Sequence, residues 1–149
     1  MQKIDKLTVA TKAVFLTPQG EVLMLREAET NPDGTNVGLL NIPGGRIEWG
    51  ESVKEGFQRE TLEETGIDIT GMKAELFETS EWRPNIRGQQ WQIIALFFLI
   101  RVEEKPDVKL SIEHDAFEWV PIEGYENNPL VIGDEKNVFE TLKKCSSAF

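Results

Sequence analysis

Apolar and β-branched residues cluster in short stretches along the chain, and polar segments containing Gly, Pro and Asn separate them. Residues 8–16 and 21–26 have strand-like patterns, and the Pro-Gln-Gly turn between them predicts a hairpin. The strongly apolar segment 91–102 predicts a strand buried on both faces. Shorter segments complete the pattern, with strand-like stretches at 39–42, 69–82 and 116–121, and polar loops at 27–38, 83–88 and 103–107.

Two segments have helical rather than strand periodicity. The first, 52–65, has Ser52 near its start and Gly66 at its C-cap position. The second, 134–144, is amphipathic, with apolar side chains at helical spacing: Val138, Phe139 and Leu142. Strands that alternate with helices in this way predict an α+β fold in which a mixed β-sheet is sandwiched between α-helices.

The composition is that of one globular domain spanning residues 1–149. Hydrophobic residues make up 40% of the chain and charged residues 28%, which suits a core that needs no covalent cross-links. Cys145 is the only cysteine, so a disulfide framework is excluded and a reducing compartment fits. The longest apolar run, 93–100, is too short to span a membrane, and we see no signal peptide, so we expect a cytoplasmic protein.

The net charge of the chain limits the classes of binding partner that we expect. The chain has 16 Lys and Arg residues against 26 Asp and Glu residues, a net charge of −10. Duplex DNA binds basic surfaces, so an acidic protein of this kind is not expected to bind it. A small anionic ligand held through metal ions remains compatible with this charge.

Three carboxylates fall on one face of the predicted 52–65 helix. Glu60, Glu63 and Glu64 share that face with Val53 and Phe57, which are expected to point inward. Two partly buried carboxylates about 4 Å apart repel by about 4 kcal/mol, and the negative end of the helix dipole adds to the repulsion. A bound cation would offset it, and oxygen ligands select Mg²⁺, Mn²⁺ or Ca²⁺. The alternative is a solvated acidic face, which would leave Val53 and Phe57 exposed.

A glycine-rich segment precedes this helix, and residues 43–51 read Pro-Gly-Gly-Arg-Ile-Glu-Trp-Gly-Glu. Glycines let the backbone adopt positive φ angles and approach a ligand closely. A tight turn that only joins a strand to a helix is the alternative for this segment taken alone.

The glycine-rich segment and the helix together match the pattern of the Nudix box, with Gly45, Glu51, Arg59-Glu60, Glu63-Glu64 and Gly66-Ile67 at the family's spacing. On these residues the chain resembles the Nudix hydrolase family. Thr61 is a departure, because the family usually has an aliphatic residue there. That position affects packing behind the helix and not the ligands.

The resemblance implies the Nudix fold and a pyrophosphohydrolase that cleaves the diphosphate linkage of a nucleoside diphosphate joined to another group. Water attacks phosphorus, and the implied cofactor is Mg²⁺, with Mn²⁺ as an alternative. Arg59 resembles the family arginine that holds the box glutamates by ion pairing. The implied metal ligands are Glu60, Glu63 and Glu64, and Glu51 resembles an additional ligand or a partner that holds the ligands from outside.

The general base stays open. Nudix enzymes use either a glutamate of the box, here Glu60 or Glu63, or a glutamate of a loop before a late strand. Glu113 is the loop candidate, since it precedes a Trp-Val strand as in several subfamilies. His114 is the only histidine, and we expect no catalytic role for it because the box already supplies the chemistry.

The substrate is less defined than the reaction. Gly44 and Gly45 resemble the wall beside the phosphates, and Arg46, Arg83 and Arg87 are candidate phosphate ligands. Candidates for holding a base are the side chains of Trp49, Trp82, Trp91, Tyr125, Asn127 and Asn128. A nucleoside triphosphate and a dinucleoside polyphosphate both fit, and an RNA 5′ end is an alternative that the acidic charge disfavours. A non-catalytic nucleotide sensor and a homodimer also stay open.

Overall fold

The computed structural model describes residues 3–31 and 36–145, and part of the loop predicted at 27–38 lies outside these ranges. Eight strands and two α-helices make up the described fold. The strands are β1 (Lys6–Leu16), β2 (Glu21–Glu27), β3 (Leu40–Asn41), β4 (Gly44–Arg46), β5 (Glu75–Trp82), β6 (Asn85–Ile86), β7 (Gln89–Arg101) and β8 (His114–Pro121). The helices are α1 (Val53–Thr65) and α2 (Lys136–Lys144), and short 3-10 turns lie at Tyr125–Asn127 and Gly133–Glu135.

Strand β1 is the centre of a mixed sheet with the order β3-β2-β1-β7-β5. It pairs with β7 in parallel along its whole length, from Lys6 opposite Trp91 to Leu16 opposite Arg101. The predicted hairpin is present where Leu16 meets Val22, and β2 then pairs antiparallel with β8. Strand β4 pairs antiparallel with the middle of β1, which brings the glycine-rich segment onto the sheet.

The two helices cover opposite faces of this sheet. Successive β1 residues point to opposite sides, so Val14 lies in the core that contains Phe139 of α2, and Phe15 lies in the core that contains Phe57 of α1. The predicted α+β fold, a mixed sheet sandwiched between helices, is therefore confirmed. Within residues 3–31 and 36–145, no helix is long and apolar enough to cross a membrane.

Local capping fixes the limits of α1 as the sequence predicts. Ser52 and Glu55 form a capping box, in which the Ser52 hydroxyl accepts from the Glu55 N–H and the Glu55 carboxylate accepts from the Ser52 N–H. Gly66 ends the helix in the left-handed conformation, at φ 71°. The Thr61 side chain is buried, and its hydroxyl donates to the Phe57 carbonyl oxygen at 2.7 Å, which satisfies a polar group in a position facing the core.

Two predictions for the β5–β7 region are wrong in detail. Residues 83–88 are not only a loop, because β6 pairs with the start of β7 in a tight hairpin that turns at Arg87 and Gly88, both with positive φ. Strand β7 is not buried on both faces, because Ile94, Leu96 and Phe98 on one face are only half-buried. The other face is buried at Trp91, Ala95, Phe97 and Leu99, and Ile93 between them is half-buried and lines an open cleft.

Strand β4 approaches β1 so closely that Gly44 has no room for a side chain. Its φ is 149°, and a Cβ atom would lie 1.9 Å from the Thr11 carbonyl oxygen. We therefore predict that Gly44→Ala lowers the free energy of unfolding by about 3 kcal/mol, through strain and overpacking. Gly133→Ala is the matched control, because a Cβ atom at Gly133 would meet nothing within 4 Å and its φ is not positive. Chemical denaturation of both variants measures the difference, and equal stability of the two would contradict the prediction.

Candidate active site

The three carboxylates of α1 lie at different depths. Glu64 is buried, Glu60 is half-buried, and the Glu63 side chain is 56% exposed. Phe57 packs into the core as predicted, but Val53 in the first turn is exposed. The prediction of one inward stripe is thus wrong for Val53 and Glu63, because the neighbouring strands cover only the part of α1 centred on Phe57 and Glu64.

Arg59 forms hydrogen bonds to three glutamates of the Nudix box. Its guanidinium donates to Glu60 at 2.9 Å and to Glu63 at 3.2 Å, and it binds both carboxylate oxygens of Glu51. It also donates to the backbone carbonyl oxygen of Arg46 on β4 at 3.2 Å. These contacts raise the pKa of Arg59, chiefly through Glu51, and lower the pKa of the Glu51 carboxyl. The arginine therefore joins α1, the segment before it and β4 in one network of charge-assisted hydrogen bonds.

Glu64 faces the sheet and not solvent. Its Oε2 accepts a hydrogen bond from the Gly44 N–H at 2.7 Å. Burial raises the pKa of this carboxyl to about 8, although Lys12 and the Gly44 hydrogen bond act in the opposite direction. Lys12 is held nearby on β1, where its Nζ donates to the Ile42 carbonyl oxygen at 3.0 Å.

The backbone at Gly45 lies directly against the Glu60 carboxylate. A Cβ at this position would lie 2.4 Å from the Glu60 carboxylate, so a side chain here would displace that carboxylate. Burial is the main reason that the pKa of Glu60 is raised, while Arg59 lowers it. The glycine pair thus provides a backbone wall directly beside the two more buried carboxylates of α1.

Glu113 and His114, where the preceding loop meets β8, lie close to Glu64. Glu113 is exposed and lines the same cleft, and its carbonyl oxygen accepts a hydrogen bond from the Ala28 N–H at 2.8 Å. His114 is buried, and burial lowers its pKa to about 4. Donor atoms of Glu64, Glu113 and His114 lie within 4.8 Å of one another. Among the described residues, this is the one group of three such donors that is already assembled.

The group differs from the ligand set implied by the sequence. Of Glu51, Glu60, Glu63 and Glu64, the structure brings only Glu64 into it. The other three are hydrogen-bonded to Arg59. Their roles as metal ligands stay predictions.

A cleft of about 1540 Å³ runs from this cluster along β1 to the β6–β7 hairpin. Arg46 and Arg87 line it, as do the three predicted tryptophans, Trp49, Trp82 and Trp91. The Arg46 guanidinium lies 4.8 Å from the centre of the Trp91 ring, and the Lys6 Nζ lies 4.3 Å from it. Aromatic and basic groups therefore line the same cleft as the carboxylates.

The structure places four other candidates elsewhere. Arg83 does not line the cleft and pairs with Glu81 at 3.2 Å, so its predicted contact with phosphate gains no support. Tyr125 is buried in the core under α2, stacked on Phe139. Asn127 and Asn128 also lie outside the cleft lining.

Lys12 and His114 are site residues that sequence reasoning missed or set aside. A signal for Lys12 was available, because a lysine in the middle of the apolar segment 8–16 needs a polar partner on a buried strand. No local pattern distinguishes His114, since Glu113 is the only neighbour in the site that is adjacent in sequence, and Glu64 comes from α1. Its proximity to Glu64 results from the pairing of β8 with β2.

Comparison with known proteins identifies the class that this fold and site define. The NUDIX domain family model matches residues 6–142, so the chain belongs to the NUDIX family. The resemblance inferred from the box is thereby confirmed.

Individual relatives agree with this assignment. Nudix hydrolase 5 of Arabidopsis thaliana is 31% identical over 132 residues, which are 87% of this chain and 41% of the relative. An 8-oxo-dGDP phosphatase of Mus musculus is 47% identical over 55 residues, 37% of this chain and 16% of the relative. The chain thus spans less than half the length of these relatives. The crystal structure of the MutT protein from Methanosarcina mazei Go1 superposes with a TM-score of 0.79 at 28% identity, covering 95% of this chain and 97% of that one.

The burial of Glu64 predicts a pH-dependent effect of Glu64→Gln on stability. Because the pKa of Glu64 in the folded state is about 8, above its ordinary value of 4.5, the group's contribution to stability is complete below about pH 4.5 and is lost as pH rises through about 8. Glutamine resembles the protonated acid and keeps an acceptor for the Gly44 N–H. We expect the metal-free variant to match the parent near pH 5 and to exceed it by about 2 kcal/mol near pH 9.

Thermal and urea unfolding at the two pH values, with EDTA present, measure this effect. Glu63→Gln is the matched control on the same helix, and its more exposed side chain predicts a change below about 1 kcal/mol at either pH. A Glu64→Gln protein less stable than the parent near pH 9 would show that the carboxylate is stabilised in the fold, contrary to the prediction.

Loss of Arg59 should destabilise the metal-free protein. Arg59→Gln leaves Glu51, Glu60 and Glu63 without their shared cation, and we expect a loss of about 1–3 kcal/mol. Arg26→Gln is the control, because Arg26 makes one ion pair with Asp115 in which both side chains are about 40% exposed (41% and 42%), a type that contributes below about 1 kcal/mol. Equal losses in the two variants, measured by urea unfolding, would argue against the network.

Proposed function

We propose that the chain is a Mg²⁺-dependent pyrophosphohydrolase that cleaves the diphosphate linkage of a nucleoside diphosphate joined to a second group. The observation that carries this proposal is that one cleft contains both the carboxylate cluster of α1 and a wall of aromatic and basic side chains. The carboxylate cluster suits a metal-bound diphosphate, and the wall of aromatic and basic side chains suits a nucleoside. Mn²⁺ is the alternative cation.

The residues present fit a divalent cation. Lys12 and Arg59 are the basic side chains that act on the cluster, whereas five carboxylates gather there: Glu51, Glu60, Glu63, Glu64 and Glu113. Burial of Glu64 and the shielding of Glu60 by Gly45 remove water that would otherwise screen this charge. Bound Mg²⁺ would neutralise charge on the diphosphate and make an attacking water more acidic.

The chain's own residues provide positioning and a proton acceptor. Arg59 keeps Glu51, Glu60 and Glu63 in fixed relative positions, which limits the rearrangement needed during catalysis. The Gly44-Gly45 backbone confines the diphosphate to the space beside Glu60. Glu60, Glu63 and Glu113 are the three candidates that accept the proton of the attacking water, as the P–O bond to the leaving phosphate breaks.

The other wall of the cleft supports a nucleoside as the organic part of the substrate. Trp49 and Trp82 provide aromatic faces, whereas Trp91 is buried beside Lys6 and Arg46. The Trp82 Nε1–H is buried without a hydrogen-bond partner in the described part of the chain. Arg46 and Arg87 line the cleft and carry the charge needed near a phosphate. At about 1540 Å³, the cleft exceeds an ordinary small-molecule pocket of roughly 300–1,000 Å³ and has room for a nucleotide with its second group.

The test is a nucleotide panel with Mg²⁺ and identification of products by mass. It contains deoxynucleoside triphosphates, 8-oxo-dGDP, dinucleoside polyphosphates, ADP-ribose, nucleotide sugars and a 5′-triphosphate RNA. For substrates that are cleaved, we expect EDTA to abolish turnover and Glu64→Gln to lower kcat by about a hundredfold or more, because metal positioning acts mainly in the transition state.

Glu104→Gln is the control, since it removes an exposed carboxylate outside the cleft and should keep the parent's rate. Turnover that persists in excess EDTA would overturn the metal dependence. Nucleotide binding without cleavage of any panel member would favour the non-catalytic sensor, and cleavage of the RNA alone would favour an RNA 5′-pyrophosphohydrolase.

A further inference from the structure

The Glu64–Glu113–His114 group contains a nitrogen ligand that the box does not provide. Its three donor atoms lie within 4.8 Å of one another. Two ligands of one ion with bonds of about 2.1 Å are at most about 4.2 Å apart. A small inward movement of side chains would therefore bring all three onto a common ion.

A second observation points to a ligand at this place. His114 is 8% exposed, and its Nδ1 is buried with no hydrogen-bond partner in the part of the chain that the structure describes. A buried polar atom without a partner costs about 1–3 kcal/mol. Lys12 and Asp115 are the charged groups that act on the ring, and neither is hydrogen-bonded to it. The ring thus lies beside two carboxylates, and its Nδ1 has no hydrogen-bond partner among the described residues.

The backbone holds the three residues in place independently of any ligand. Hydrogen bonds fix Glu113 through its carbonyl oxygen to Ala28 and His114 through its N–H to Ser111 at 3.2 Å. Glu64 is fixed by the Gly44 N–H through Oε2, which leaves Oε1 for another partner. This preorganisation is typical of a binding site and is not required by the packing of a surface acid.

We propose that Glu64, Glu113 and His114 form a mixed nitrogen–oxygen site for a borderline transition-metal ion such as Zn²⁺ or Co²⁺. Imidazole suits these ions, whereas Mg²⁺ prefers oxygen ligands alone. Three protein ligands leave a fourth position open for water or a phosphate oxygen. The inference rests on the proposed function for its place in catalysis, and with Glu113 on this ion, Glu60 and Glu63 are the remaining candidate bases.

The sole histidine makes the first test independent of any variant. In tag-free protein labelled with ¹⁵N, the ring nitrogens of His114 are the only imidazole signals. We expect stepwise addition of Zn²⁺ to move one ring nitrogen resonance by the amount typical of metal ligation, with saturation at one ion per chain. Mg²⁺ should leave it unchanged. Ring resonances that do not respond to Zn²⁺ would overturn the proposal.

The second test compares affinities by calorimetry with Zn²⁺, Co²⁺ and Mg²⁺ alone. His114→Gln replaces the nitrogen ligand by an amide of similar size, and we expect its affinities for Zn²⁺ and Co²⁺ to fall at least about tenfold, with little change for Mg²⁺. Glu118→Gln is the matched control on the same strand, since its exposed side chain accepts a hydrogen bond from Asn128 outside the cleft, and it should bind all three ions like the parent. Equal losses in both variants, or none in His114→Gln, would overturn the proposal.

These measurements separate the inference from the proposed function. If His114 does not bind Zn²⁺ while nucleotides are still cleaved with Mg²⁺, the mixed site is wrong and the hydrolase stands. If Zn²⁺ binds to His114 but no nucleotide is cleaved, the mixed site stands and the hydrolase does not.

Discussion

Repulsion among the carboxylates at one end of the cleft is the constraint on which the rest of the site depends. Packing alone would favour apolar residues at Glu60 and Glu64, because desolvation raises the pKa of both. Arg59 offsets part of the repulsion through a planar group that bonds to several acids at once, which a lysine could not reproduce. The remaining excess negative charge is the property on which the proposed binding of a cation rests.

Close backbone approach is the second requirement, and the glycine pair meets it. Gly44 touches β1 and Gly45 touches Glu60, so a side chain at Gly44 would push β4 away from the sheet, and one at Gly45 would displace the Glu60 carboxylate. With β4 displaced, the Gly44 N–H would no longer reach Glu64, and Arg59 would lose its contact with the Arg46 carbonyl oxygen. The hydrogen bonds of Glu64 and Arg59 in the cluster therefore depend on the close approach of β4 that the two glycines allow.

Helix α1 and its charged face could be predicted from sequence because caps and periodicity are local, and the Nudix box fixes the order of the acids. The extent to which each acid is buried could not be predicted, because Glu63 and Glu64 differ in their position relative to the strands that cover α1. The place of His114 could not be predicted either, because it depends on the pairing of β2 with β8, about ninety residues apart. The β6–β7 hairpin was missed because its strand of two residues has no periodicity to recognise.

Stability and function act in opposite directions at Glu64. Burying this carboxyl favours its neutral form in the metal-free protein, so the charged form that a cation needs is the less stable one there. A cation that binds only the folded, ionised protein recovers this free energy on binding, which links metal affinity to folding stability. Because Glu64 also contacts Gly44 and belongs to the Glu113–His114 group, the same linkage extends from the helix to the wall of the cleft and to β8. The acids of α1 are therefore a part of the fold whose unfavourable charge a bound cation would offset.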